Sequence, residues 1–268
     1  MSVITNKVGK LEYLTAEGIS VPHCFTTRFG GVSEGHLASL NLGIHRGDEP
    51  ENVVRNYEIL GEAIGFDVHA LVFTRQTHTS IVRVVDGSNC GEGLERDVIP
   101  ECDALVTNTP GVAMAAFSAD CTPILLWDPV TGAVGAVHAG WRGTVADIAG
   151  NAVRAMAESF GSRPEDIRAA IGPNIAQCCF ETDADVPEAV RAVLGTEAEQ
   201  YIVSDGEKFR VDLKGVNAAL LRRAGVREIE ISTECTACQP DRFWSHRRVG
   251  NDRGSLAAII VCEGGNTK

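Results

Sequence analysis

Three segments of the chain carry an apolar run up to a side chain that can ligate a metal. Val72-Phe73-Thr74-Arg75-Gln76-Thr77 leads to His78, Ser118-Ala119-Asp120 to Cys121, and Val134-Gly135-Ala136-Val137 to His138. Two imidazoles and a thiolate make a tetrahedral zinc set with one position open for water or substrate, the arrangement of a catalytic zinc. The ligands are far apart in sequence and satisfy no compact metal-binding spacing. On ligand chemistry alone two other readings stand beside the metal. Cys121 can be a small buried hydrophobe and each histidine an ordinary hydrogen-bonded residue. Alternatively, Cys121 can be a nucleophile with His138 as its base, as in a cysteine hydrolase.

Further groups surround these segments. Gln76 and Asp120 each neighbour a ligand and are candidates to orient an imidazole or a water; Asp120 joins Cys121 and His138 as the expected catalytic group. Gly140-Trp141-Arg142-Gly143-Thr144 opens a helix, where free N–H groups and the dipole favour an anion and Arg142 can add a bidentate contact to phosphate. Arg28, Asn41 and Arg46 lie in a polar, glycine-punctuated stretch that can fold over the site as a ribose or phosphate clamp, a turn-forming Asn41 and surface arginines being the alternative. Of the remaining histidines, His45 is the one expected to line a pocket. Cys235-Thr236-Ala237-Cys238 has the spacing of a redox or zinc-knuckle pair, but no second such pair accompanies it in the sequence, so it reads as two structural thiols. The adjacent Cys178 and Cys179 are badly placed for a mutual disulfide and read as core or loop residues.

These groups must be carried by regular elements. Apolar stripes at Val53, Tyr57, Leu60 and Ile64, at Val145, Ile148, Ala152, Met156 and Phe160, and at Leu213, Val216, Leu220 and Leu221 predict three helices. Thr144 with Asp147 resembles a capping box for the second, and Asp212 is positioned to cap the third. Runs at 71–74, 81–85, 104–106, 112–117, 123–127, 133–137, 229–232 and 257–261 predict strands. Hairpin-like succession with helices added later points to an α+β fold of mixed β-sheets flanked by helices, in one domain over residues 1–268. No Gly-x-Gly-x-x-Gly follows a strand, so a dinucleotide cofactor is not expected.

With 24 basic and 36 acidic residues the formal net charge is −12, which repels nucleic acid and anionic membranes while leaving room for a small anionic substrate in a local arginine pocket. The N-terminal residues lack the apolar run of a secretory signal, and nine cysteines, an odd count, suit reduced thiols in a cytoplasmic protein.

The segments TRQTH, SADCTPILLWDP and VHAGWRGT, in that order, resemble the core motifs of the YfiH/DUF152 family, also labelled multicopper polyphenol oxidase or laccase-like. TTRFGGVSEG, SLNLG, DALVT, IGPNI and a C-terminal CT followed by FWSHRR extend the likeness from Phe25 to Arg253. The resemblance implies one zinc ion on His78, Cys121 and His138, making Cys121 a ligand rather than a nucleophile. It also implies purine nucleoside phosphorylase activity on inosine, adenosine or methylthioadenosine with phosphate, and adenosine deamination. A copper laccase and a role in peptidoglycan editing are older readings of the same family. Several coppers require many histidines, and the chain has seven in all.

Overall fold

In the computed structural model, which describes residues 2–96 and 100–265, the α+β expectation holds. Two six-stranded mixed sheets stack face to face. The first runs from edge to edge as Val3–Val8, Leu11–Ala16, His23–Thr26, Leu256–Val261, Ala113–Ser118 and Leu71–Phe73. The second runs Glu228–Ile231, Arg168–Ile171, Thr122–Trp127, Val134–Ala139, Ala104–Thr107 and Val82–Val84. A small third sheet joins Glu181–Thr182, Lys208–Val211 and Ile202–Asp205.

Strand alternation distributes the apolar side chains. In Ala113–Ser118, Met114 and Ala116 point between the sheets to meet Leu105, Leu125 and Ala136 of the second sheet. Ala113 and Ala115 point outward, onto Val53, Tyr57 and Leu60 of the helix Pro50–Ile64. The outer face of the second sheet is covered by Ile148, Ala152 and Met156 of Ile148–Phe160 and by Leu221 of Leu213–Arg223. Strands buried on both faces lose the period-2 pattern and read as continuous apolar runs, as Thr122–Trp127 and Leu256–Val261 do.

All three predicted helices form, the second with a later start. Thr144 belongs to a separate short helix, Trp141–Val145, and Asp147, at φ 57°, begins the next by accepting from the Gly150 amide at 3.2 Å. Asp212 makes no side-chain capping bond. The N-terminal strands, Arg168–Ile171 and the helix Asp185–Leu194 are additions that the sequence pattern did not single out.

The packing between the sheets should be costly to disturb. Leu125 is fully buried there, so Leu125→Ala should cost about 2–5 kcal/mol, read as a lower urea midpoint at unchanged slope. Val130→Ala, at a 62% exposed position, should leave the midpoint nearly where it was.

Candidate metal centre

Strand register solves the problem of distance in sequence. Thr122–Trp127 pairs antiparallel with Val134–Ala139, Thr122 opposite Ala139 and Pro123 opposite His138, so Cys121 falls just beyond the ladder beside the His138 strand. On the other side Ala104 pairs with Val137, which puts Asp103 against His138, and the His138 amide donates to the Asp103 carbonyl at 2.7 Å. His78 arrives from the loop after Leu71–Phe73, at φ 62°. The ligand atoms of His78, Cys121 and His138 all lie within 4.8 Å of one another, with the imidazole planes at 81°.

Asp103 organises this loop. Its fully buried carboxylate accepts from the amides of Thr77, His78 and Thr79 at 3.2, 3.1 and 2.7 Å and from the Thr79 hydroxyl at 2.7 Å. It also meets His138 Nδ1 at 2.7 Å. Burial alone would raise the Asp103 pKa, but His138 and Thr79 hold it well below the usual carboxylate range. The carboxylate is therefore ionised, Nδ1 carries the proton it donates, and the Nε2 lone pair is left for a metal. Asp103 is not among the residues singled out by type and spacing. Its only signal was its place in DALVT, immediately ahead of a strand.

Gly140 completes the cradle. A Cβ there would lie 2.5 Å from His78 Cδ2 and 3.4 Å from Cys121 Sγ, so the ligands occupy the space a side chain would need. Two imidazoles and a thiolate converging on one point, with a glycine making room and a carboxylate fixing one tautomer, fit a zinc-type ion with an open position.

Without metal the pair is charged. Burial would raise the Cys121 pKa, yet His138 and then His78 bring it down to about 6. Burial opposes a charged His138, yet the Cys121 thiolate and Asp103 raise it to about 9.

A cleft of about 690 Å³ opens over this point, lined among others by His45, Arg46, Arg75, Phe117 and Arg253. Arg46 and Gln76 of the predicted residues line it, as does His45. The Gln76 amide, however, is committed to Phe117, donating to its carbonyl at 2.8 Å and accepting from its N–H at 2.5 Å, so it splices the His78 loop to the neighbouring strand.

The other predicted residues do not line the cleft. Arg28 donates to the carbonyls of Ala38 and Pro240 and stacks 3.7 Å over the Trp244 ring. Asn41 is fully buried and bridges Gly43, Asp48 and Ser255. Arg142 is exposed, lying over Trp141 at 4.2 Å. Asp120, at φ 99°, uses both carboxylate oxygens on the Thr236 hydroxyl and the Arg247 amide, each at 2.6 Å, and so positions the Cys121 turn.

Arg253 is a further cleft cation, one that no motif or spacing singled out. Its Nε is buried without a hydrogen-bond partner, and burial and then the adjacent Arg46 lower its pKa to about 10.

A family model described as multi-copper polyphenol oxidoreductase laccase matches residues 22–263. The chain belongs to this family. It is 41% identical over 251 residues to a protein of Deinococcus radiodurans named purine nucleoside phosphorylase, covering 93% of this chain and 92% of that one. To purine nucleoside phosphorylase YlmD of Bacillus subtilis it is 36% identical over 240 residues, 88% of this chain and 86% of the other. Among solved structures, YlmD from Geobacillus stearothermophilus superposes with a TM-score of 0.91 at 35% identity, covering 97% and 99% of the two chains. The Bacillus licheniformis hypothetical protein YfiH gives 0.90 at 33%, covering 96% and 98%. The YfiH/DUF152 resemblance of the motifs is thereby borne out.

Two outcomes follow from this geometry. Asp103→Asn should weaken metal binding by about 10–100-fold, measured by competition with a chromophoric chelator, while far-ultraviolet circular dichroism stays native. Metal affinity should also rise with pH. Between about 6 and 9 the metal-free pair holds one proton, on His138, that the metal must displace. Log Ka should therefore climb by about one per pH unit in that window and level off above it; a flat profile would mean that His138 is not a ligand.

Proposed function

We propose that the chain is a zinc-dependent purine nucleoside phosphorylase acting on inosine, adenosine or methylthioadenosine with phosphate, with adenosine deamination as a side reaction. One observation carries the reading: the three-ligand centre and the buried, unpartnered Nε of Arg253 share a single cleft. The names of the relatives, purine nucleoside phosphorylases, support it. The cleft also falls within the roughly 300–1,000 Å³ that suits a small-molecule ligand.

Arg46 and Arg253 repel each other across the cleft, and a phosphate between them would relieve that repulsion while satisfying the bare Arg253 Nε. Arg46 is aimed by donating its Nε–H to Ser255 Oγ at 3.2 Å. The phosphate reading thus moves from Arg142 to Arg46 and Arg253. A zinc ion, when bound, supplies Lewis acidity that polarises a substrate oxygen or a water. Asp103 keeps its partner imidazole in the ligating tautomer, and Asp120 and Gln76 hold the two ligand-bearing turns. His45, exposed on the cleft wall and outside the ligand set, is our candidate to supply a proton to the leaving purine.

A copper oxidase would require more imidazoles at one place. Among the described residues, His78 and His138 are the histidines found in a metal-sized cluster. The metal-free thiolate–imidazolium pair does favour a second reading, a cysteine hydrolase. Alkylation of Cys121 in zinc-loaded protein separates the two: a coordinated thiolate is protected, a nucleophile is not.

Purified protein given inosine should release base only when phosphate is present, with ribose 1-phosphate as the second product; free ribose released without phosphate would make the enzyme a hydrolase. Arg253→Ala should raise the KM for phosphate by about 10–100-fold, the worth of a charge-assisted bond, with a smaller change in the KM for nucleoside.

A further inference from the structure

Outside the cleft, four thiols meet. Cys178, Cys179, Cys235 and Cys238 bring their sulfur atoms within 4.8 Å of one another. The second pair that Cys235-x-x-Cys238 lacks in sequence is therefore supplied in space by the adjacent Cys178-Cys179, delivered by the loop after Arg168–Ile171.

The spacings identify what the cluster suits. Cys178 Sγ lies 3.5 Å and Cys179 Sγ 3.4 Å from Cys238 Sγ, and the two neighbours are 3.9 Å apart. A disulfide needs about 2.05 Å. Four thiolates about 2.3 Å from a tetrahedral zinc stand about 3.8 Å from each other, close to the separations observed.

The surroundings suit a doubly negative tetrathiolate site. The Ala176 amide donates to Cys235 Sγ at 3.3 Å. Arg210 donates to the Cys178 carbonyl, and Arg247 donates to that of Cys179 at 2.9 Å, bringing two guanidiniums alongside. The buried Lys214 ammonium sits on the carbonyls of Ser232 and Glu234 at 2.8 and 2.6 Å, next to Cys235 in sequence.

We propose that Cys178, Cys179, Cys235 and Cys238 bind a second, structural zinc ion. All four positions are filled by protein, so the site has no opening for chemistry. Its effect is mechanical. Between the third and fourth ligands lies Thr236, whose hydroxyl holds Asp120, the residue before Cys121. Arg247 links the same two points, through its amide to Asp120 and its guanidinium to Cys179. The Thr236 amide donates to the Asn174 carbonyl at 2.9 Å, and the Asn174 side chain donates to Thr122 Oγ1 at 2.8 Å. The thiolate site therefore staples together the two loops that hold the Cys121 turn. This also gives Arg247 and Arg248 of the FWSHRR motif a place, since Arg248 donates to the Ala237 carbonyl inside the Cys235–Cys238 turn.

Metal analysis by mass spectrometry under native conditions, with the full chain expressed in zinc-supplemented medium, tests the proposal. Wild type should carry two zinc ions per chain, Cys121→Ser one, and Cys178→Ser/Cys238→Ser one. Thiol labelling of wild type needs no variant: Cys178 and Cys238 are exposed, yet should resist a thiol reagent until a chelator is added and then react at least about tenfold faster. Rapid labelling of both in zinc-loaded protein would overturn the site, as would iron in place of zinc or a mass two daltons lower from a disulfide. A double mutant that retains two zinc ions would also overturn it.

Discussion

The buried carboxylate of Asp103 is the constraint on which the centre depends. A charged group with no solvent exposure is tolerable only when it is fully partnered, and Asp103 accepts from three successive amides, a hydroxyl and an imidazole. Those partners are the His78 loop and the His138 side chain. Satisfying one buried charge therefore fixes the loop, including the left-handed backbone of His78, and the tautomer of His138 in a single step. Pairing of Ala104 with Val137 sets Asp103 at this place, so the centre inherits its precision from the sheet.

Around that point the chain arranges rigid supports and leaves the cleft polar. Two stacked sheets with a helical layer on each outer face hold the strand ends that carry Cys121 and His138. The turns between are secured by side chains whose polar atoms are already spent: Gln76 on the Phe117 backbone, Asp120 on the Thr236 hydroxyl and the Arg247 amide. Groups facing the cleft are different in kind, since Arg253 Nε has no partner and Arg46 has only Ser255. Unsatisfied cations beside a ligand cluster are what an anionic substrate would complete.

Much of this was legible from residue types. The helix stripes at Val53–Ile64 and Ile148–Phe160 show a 3.6-residue period because each packs one face on a sheet, that at Leu213–Leu221 because Leu213, Val216 and Leu220 pack on Asp185–Leu194, and the strand runs of the middle third are apolar because both faces are covered. Elements with weaker patterns escaped: Val3–Val8 is an edge strand with mixed exposure, and Glu181–Thr182 is only two residues long. At the centre, His78, Cys121 and His138 were visible as ligand types, and motif context singled them out. Asp103 and Arg253 were not, because their importance lies in cross-strand register and burial, which no local spacing encodes. Arg28, Asn41 and Arg142 drew attention by residue type and turn-rich context, yet each is satisfied within the scaffold or lies outside the cleft. The thiol cluster was hidden for a similar reason, its halves being separated by the third sheet and the helix Leu213–Arg223.

The proposed chemistry requires a metal held at this point by these atoms. Anomalous diffraction at the zinc absorption edge, from crystals of the full chain grown without chelator, measures it directly. A peak about 2.0–2.3 Å from the Nε2 atoms of His78 and His138 and from Cys121 Sγ, with His138 Nδ1 still on Asp103, is the predicted result. A refined site with no anomalous peak, or one in which His138 has turned its Nδ1 to the metal and released Asp103, would contradict it.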